Sequence, residues 1–282
     1  MKVTNVNVEN FLELLKTKEL SRNTVSKYVR DVNKFVHFLN GEQITKEKVI
    51  DFKCCLIESY KPVSVNSILV AVNLFLRSVG LNDLCVTQLK IQRQMFRRSS
   101  LILSGGEYDA LIGSALRSGD EQIAAIIQTV AATGVRVSEL KFFTVEGVRS
   151  GMVEVYNKGK SRLIVLKKDL QRLLTKYCRK NVIRSGPIFL SKKNNKPLDR
   201  SVIWKRMKAL CKIAKVSPEK VFPHNLRHYF AVAYYKVGKD LVGLSSLLGH
   251  KSIDTTRRYL MPSIQACRKV LDAMAVPIKR IT

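Results

Sequence analysis

His224 and Arg227 stand three residues apart in the run His224-Asn225-Leu226-Arg227-His228, and Leu248-Gly249-His250 and then Tyr259 follow. A further arginine lies upstream, in Gly134-Val135-Arg136-Val137-Ser138-Glu139-Leu140. A phenol, imidazoles and guanidiniums in one set suit a phosphodiester. Guanidinium forks hold non-bridging phosphate oxygens, imidazoles move protons, and a hydroxyl attacks phosphorus. The three-residue step from His224 to Arg227, at a helix start after Pro223, lets both side chains face one ligand. Free amides at a helix N-terminus add anion affinity. Singly, each residue has a plainer use: Arg136 in an ion pair, His224 as a cap, His250 in a turn, Tyr259 as an aromatic plug. Order and spacing taken together carry the reading.

Elements must exist to bring these groups into one place. In the second half, 123–132 reads as an apolar helix ending at Thr133-Gly134, and 151–166 as a β-hairpin. Met152, Val153 and Val155 lie on one arm of that hairpin, Leu163, Ile164 and Val165 on the other, with a basic turn at Asn157-Lys158-Gly159-Lys160. Further helices are expected near 169–180, 200–214, 225–237 and 240–248. The first ninety or so residues read as helices with short links. One includes 8–15, and one carries Val25, Tyr28, Val29, Val32, Phe35, Val36 and Leu39 and closes at Gly41. Another spans 46–59. The last starts after Pro62, with Ser64 as N-cap, and stops at Gly80. Ser104 and Glu107 have the spacing of a capping box. The expected fold is mainly α with a small β-sheet. An all-helical domain spans 1–92, a basic linker 93–103, and an α+β domain 104–282.

Composition narrows the partner. A net charge of +28 and a pI near 10.1, in a chain that is 46% hydrophobic, describe an ordered protein facing a polyanion. Most of the positive excess lies beyond residue 98, yet both halves are positive, so the partner should run past both. No apolar run approaches the ~18–20 residues of a spanning helix, and Met1-Lys2-Val3-Thr4-Asn5 lacks a signal-peptide core. The expectation is a cytoplasmic protein with a polyanionic partner and without a membrane partner. Cys54, Cys55, Cys85, Cys178, Cys211 and Cys267 show no CxxC spacing. Reduced core thiols are expected, with neither zinc nor a disulfide framework.

Taken in order, these motifs resemble the tyrosine recombinase (integrase) family, most of all its short XerC/XerD-type members. The matching pieces are Thr133 to Leu140, His224 to His228, Leu247 to His250, and Thr255-Thr256-Arg257-Arg258-Tyr259. At the amino terminus, Ser21-Arg22-Asn23-Thr24-Val25-Ser26-Lys27-Tyr28 resembles the family's core-binding domain. The resemblance implies a helical core-binding domain and an α+β catalytic domain on opposite sides of a duplex. It makes Tyr259 the nucleophile, forming a 3′-phosphotyrosine and freeing a 5′-hydroxyl. Phenols ionise only near pH ~10, so positive neighbours and a proton acceptor are needed. Arg136 and Arg227 would clamp the phosphate, His224 accept the tyrosine proton, His250 donate a hydrogen bond to the phosphate, and Lys158 protonate the leaving 5′-oxygen. No metal, ATP or other cofactor is implied. Lys27, Arg93, Arg97, Arg98 and Lys160 are the candidate DNA contacts. The implied partners are a double-stranded recombination site and a homo-tetramer on two paired sites, or a hetero-tetramer with a related recombinase. Strands would exchange through a Holliday junction, for dimer or cointegrate resolution or for mobile-element integration and excision. Ile264, Val270, Leu271 and Met274 mark a terminal helix that docks in a neighbour or on its own domain.

Two departures leave choices open. The family turn Gly-Lys-Gly-Asn-Lys-Glu-Arg is one residue longer than the turn here, so Lys160 competes with Lys158 as the acid. Tyr229 stands where the family often has Thr or Ser, and Tyr229, Tyr234 and Tyr235 are rival phenols near Arg227. A type IB topoisomerase-like enzyme that nicks, swivels and reseals is the first alternative function. A non-catalytic DNA-binding accessory protein is the second. A basic RNA-binding protein leaves the tyrosine set unexplained.

Overall fold

Apolar residues recurring at helical spacing make the first part of the chain a set of four helices. They are α1 (Asn5–Thr17), α2 (Arg22–Leu39), α3 (Lys46–Ser59) and α4 (Pro62–Ser78). The structure is a computed structural model, and it describes residues 5–91, 102–157, 159–250, 252–257, 259–260 and 264–274. Ser21 and Thr45 cap α2 and α3, each side chain accepting a backbone N–H three residues on. Asn40, in the left-handed region at φ 46°, ends α2 one residue before the expected Gly41. Ser64 is not the cap of α4. That helix begins at Pro62 itself, with Lys61 at the N-cap position, because proline's fixed φ and missing N–H suit the first helical residue. Phe11, Phe35, Phe52, Leu69, Val72 and Phe75 fill the core between these helices, with Phe11 and Phe75 edge-to-face at 5.5 Å. Asn66 and Asn73, on one face of α4, exchange paired hydrogen bonds at 2.7–3.1 Å with the backbones of Leu89 and Val86. These amides tie down the extended segment that leaves the helices.

The second part is built around α6 (Glu121–Thr133), apolar on nearly every side and therefore central. α5 (Gly105–Arg117) precedes it and begins with the expected capping box of Ser104 and Glu107. After α6 come a 3-10 turn over Val137–Phe142, α7 (Val145–Ser150), the hairpin β1 (Met152–Asn157) and β2 (Lys160–Val165), α8 (Lys168–Lys180) and α9 (Arg200–Ala214). The chain continues through α10 (Pro223–Gly238), α11 (Leu241–Leu248), α12 (Ile253–Arg257) and α13 (Ile264–Asp272). α5, α8, α9 and α10 pack on α6 around Ile123, Ile126, Val130, Leu174, Met207 and Leu226. In the antiparallel hairpin Val153 faces Ile164 and Val155 faces Arg162, so the buried face of a short sheet carries one guanidinium among its aliphatics. The fold is thus mainly helical with one small sheet, as the sequence implied.

By internal contacts the chain divides into the units Met1–Arg93 and Gln94–Thr282. Most of the expected linker, with Arg93, Arg97 and Arg98, lies outside the described residues. The expectation of core thiols needs correcting. Cys178 and Cys211 are buried, but Cys54 and Cys55 are exposed, because Val49, Phe52 and Leu56 take the inner stripe of α3.

Candidate active site

Arg227 enters the site from the first turns of α10, where it is 2% exposed. Its Nη1 donates to the Gly134 carbonyl and its Nη2 to the Leu248 carbonyl, both at 2.6 Å. Two glycines make these approaches possible. At Gly134 (φ 63°) a Cβ would lie 2.4 Å from Phe230 Cδ1 and 2.8 Å from Leu248 Cδ2. At Gly249 (φ 61°) it would lie 2.9 Å from Arg162 Nη1. Only glycine closes both turns without collision. Burial, and then the charge of Arg136, push the Arg227 guanidinium down to about 10, which leaves it charged at neutral pH.

Arg136 leads into the 3-10 turn, and Glu139 fixes it there. The Glu139 carboxylate, 1% exposed, accepts the Arg136 backbone N–H at 2.9 Å and Nη1 at 3.0 Å. The other end of the Arg136 fork reaches the Gly249 carbonyl at 3.3 Å. Arg162, from β2, completes the shell of Glu139 with two hydrogen bonds of 2.9 and 2.7 Å and gives its Nε–H to the Leu247 carbonyl at 3.0 Å.

His250 follows the glycine turn. Its Nε2 lies 2.9 Å from Arg227 Nη2 and its Nδ1 lies 2.7 Å from Thr256 Oγ1. A guanidinium can only donate, so Nε2 accepts and the neutral ring carries its proton on Nδ1, toward Thr256. Burial is the first cause that pushes this imidazole down to about 4, and the charges of Arg227, Arg136, Arg162 and His224 add to it.

Tyr259 is 7% exposed and packs with Ala231, Leu244 and Leu248. Its hydroxyl lies 3.4 Å from His224 Nε2. The rings of His224, His228 and His250 each lie 5.5 Å from the Tyr259 ring, His250 stacked parallel to it. The rival phenols occupy other places. Tyr229 stacks on Tyr108 at 5.0 Å, and Tyr234 lies 6.0 Å from Phe230. Tyr235 packs at the edge of the small cluster around Ala231 and Leu244.

Five of the expected catalytic residues, Arg136, His224, Arg227, His250 and Tyr259, therefore come together. Lys158 lies outside the described residues, and so does the side chain of Lys160, the first residue of β2. Lys27 ties α2 to α4, donating to Asp31 at 2.6 Å and to the Ser67 carbonyl at 3.2 Å. Arg162 and Thr256 were not anticipated as site residues. A signal existed for Arg162, which matches the arginine that ends the family turn. Among the described residues, no three His, Cys, Asp or Glu side chains are grouped to hold a metal ion, and no helix is long and apolar enough to cross a membrane.

Residues 102–265 match the phage integrase family, and residues 8–78 match the phage integrase N-terminal SAM-like domain. The chain belongs to the phage integrase family. A curated relative, tyrosine recombinase XerD of Vibrio cholerae, is 28% identical over 277 residues, covering 89% of this chain and 90% of that protein. A crystal structure of XerA recombinase is similar with a TM-score of 0.54 and 26% identity, over 98% of this chain and 100% of that one. A lambda integrase tetramer bound to a Holliday junction shares the fold with a TM-score of 0.74 at 20% identity, over 92% of this chain and 77% of that one. As a family member the chain is a site-specific recombinase, an enzyme that cuts and rejoins DNA. Nothing in these matches favours the topoisomerase-like or accessory readings.

Proposed function

We propose that Tyr259 cuts one strand of a recombination site by attacking the scissile phosphorus through Oη. The Tyr259–phosphorus bond forms as the bond to the 5′-oxygen breaks, leaving a 3′-phosphotyrosine. The phenol proton passes to His224 Nε2, and the leaving oxygen takes its proton from Lys158, with Lys160 as the substitute. Arg136 and Arg227 neutralise the charge that grows on the non-bridging oxygens. The observation that carries this reading is the Tyr259 hydroxyl 3.4 Å from His224, beside a buried guanidinium held by two backbone carbonyls. His250 joins once phosphate arrives. The phosphate charge works against the burial and the arginine charges that hold the ring neutral, Nε2 takes a proton, and it donates to the phosphate.

Rejoining reverses the chemistry on a new 5′-hydroxyl, so the stored phosphotyrosine replaces ATP. The assembly we infer is four copies on two paired duplex sites, exchanging strands through a Holliday junction, as in the lambda integrase tetramer. The partners are further copies of this chain or a related recombinase. The exposed Val270, Leu271 and Met274 of the terminal segment favour docking in a neighbour. Of the candidate DNA contacts, Arg93, Arg97 and Arg98 remain candidates from the basic linker sequence, whereas the Asp31 pairing of Lys27 favours a structural use. The biological task is dimer or cointegrate resolution, or the movement of a simple mobile element, in the cytoplasm.

Nicked suicide duplexes drawn from the sequence around the encoding gene test this chemistry on a denaturing gel with EDTA present. A DNA-linked band for the wild type and none for Tyr259→Phe is expected. A band that persists in Tyr259→Phe would move the nucleophile elsewhere.

A further inference from the structure

Arg162 stands at the junction of three segments and does so with every face of its guanidinium. It lies on β2, paired across the hairpin with Val155, and its side chain is 14% exposed. Nη1 and Nη2 grip both oxygens of Glu139, the carboxylate that orients Arg136 through its backbone and its guanidinium. Nε donates to Leu247, three residues before His250. Its fork also lies against the Gly249 backbone, where a Cβ would meet Arg162 Cδ at 3.0 Å. The contacts span 23 residues back to Glu139 and 85 forward to Leu247, so no local secondary structure could replace them.

We propose that Arg162 is a positioning residue for DNA cleavage: it locks the Arg136 turn and the His250 turn to the hairpin, so that the phosphate-binding groups keep one spacing. The planar fork is what the site uses. Three donors fixed in one plane satisfy two carboxylate oxygens and a carbonyl at once, which a lysine ammonium, a single point charge on a flexible stem, cannot reproduce. A positioning error of about 1 Å costs on the order of 100-fold in rate. Arg162 also contributes to the positive field at His250, together with Arg227 and His224 from α10 and Arg136 from the 3-10 turn, while Glu139 lies between Arg136 and Arg162. Charge and geometry can therefore be separated by substitution.

The inference rests on the tyrosine chemistry proposed above, and the experiment keeps the two apart. Full-length wild type, R162K, R162Q and the double variant E139Q/R162Q are compared in single-turnover adduct formation at saturating suicide duplex. Duplex affinity, thermal melting and the His250 ring signals by NMR are followed in parallel. R162K and R162Q should both lose about 100-fold in adduct rate with affinity within about 3-fold of wild type. The His250 midpoint should rise in R162Q, because a positive neighbour is lost and Glu139 is less neutralised. In R162K it should stay near the wild-type value. The double variant, free of the stranded carboxylate, should fold even if R162Q does not, and should remain as slow as R162Q or R162K. R162K cleaving at the wild-type rate would overturn the proposal, and so would rate losses mirrored by equal losses of affinity. An E139Q/R162Q enzyme that recovers full activity would overturn it as well. No adduct from wild type despite duplex binding would instead reject the underlying chemistry, and this inference with it.

Discussion

The two units bury polar groups in opposite ways. Among the described residues of the first, Asp31 is the one buried polar side chain, and Lys27 satisfies it one helical turn away. In the second, Glu139, Asn225, Arg227, His228, Ser245 and Thr256 are all buried, and most converge where α6, α10 and α11 meet. Removing charge from water is costly unless partners replace the lost solvation. The helical unit avoids that cost by filling its core with Phe11, Phe35, Phe52 and Phe75. The second unit accepts it, using Glu139, two glycine turns and two backbone carbonyls to hold the buried Arg227, the partly exposed Arg136 and Arg162, and a half-buried imidazole beside a phenol. The concentration of satisfied buried charge, more than any cavity, marks where chemistry belongs.

The strongest attempt to break this contrast is Arg227→Lys. Lysine keeps the charge but cannot span the Gly134 and Leu248 carbonyls while facing a phosphate. The expected loss in single-turnover adduct formation is about 1000-fold. Retention within tenfold would mean that charge alone, and not the buried fork, does the work. In the first unit the largest effect should be on stability. Phe75→Ala empties the centre of its core and should cost about 3–5 kcal/mol by denaturant unfolding. Tyr259→Phe, which removes one hydroxyl from a long hydrogen bond, should cost about 1 kcal/mol or less in the same measurement. A Tyr259→Phe protein as unstable as Phe75→Ala would make Tyr259 a packing residue and erase the distinction.

The smallest effect concerns protons. The folded state holds His250 near 4, below its ordinary 6.5, so the unfolded chain binds the proton first as pH falls. Stability attributable to His250 is thus intact above about pH 6.5 and declines from there toward pH 4. NMR of the free protein should show a neutral His250 ring at pH 5.5, with its proton on Nδ1. A bound duplex should raise the midpoint. An ordinary midpoint in the free protein would mean that neither burial nor the arginines act on this ring as the site geometry implies.

Much of this was legible in the sequence, and the rest was hidden for identifiable reasons. α3 and the hairpin announced themselves through apolar periodicity, and the capping box at Ser104 through spacing. The four ordered motifs pointed to Arg136, His224, Arg227, His250 and Tyr259, which the fold brings together. The start of α4 was misread because Ser64 has the usual N-cap chemistry, while Pro62 fixes the first turn two residues earlier. Cys54 and Cys55 were misread because residue type favours burial, whereas the α3 stripe had no room for them. Arg162 and Thr256 were missed because their meaning lies in partners distant in sequence. The separation of Tyr259 from Tyr229, Tyr234 and Tyr235 became geometric only once Tyr108, Phe230 and His224 had places. Lys158 stays an assignment from the turn motif.

If one phenol carries the DNA in the reaction, Tyr259 is the one whose hydroxyl faces His224. Wild-type enzyme should be trapped on a suicide duplex, digested, and the nucleotide-bearing peptide sequenced by mass spectrometry. A 3′-linked nucleotide on Tyr259 is expected. A nucleotide on Tyr229, Tyr234 or Tyr235 would contradict it, since those rings would have to leave their packing to reach a phosphate held by Arg136 and Arg227.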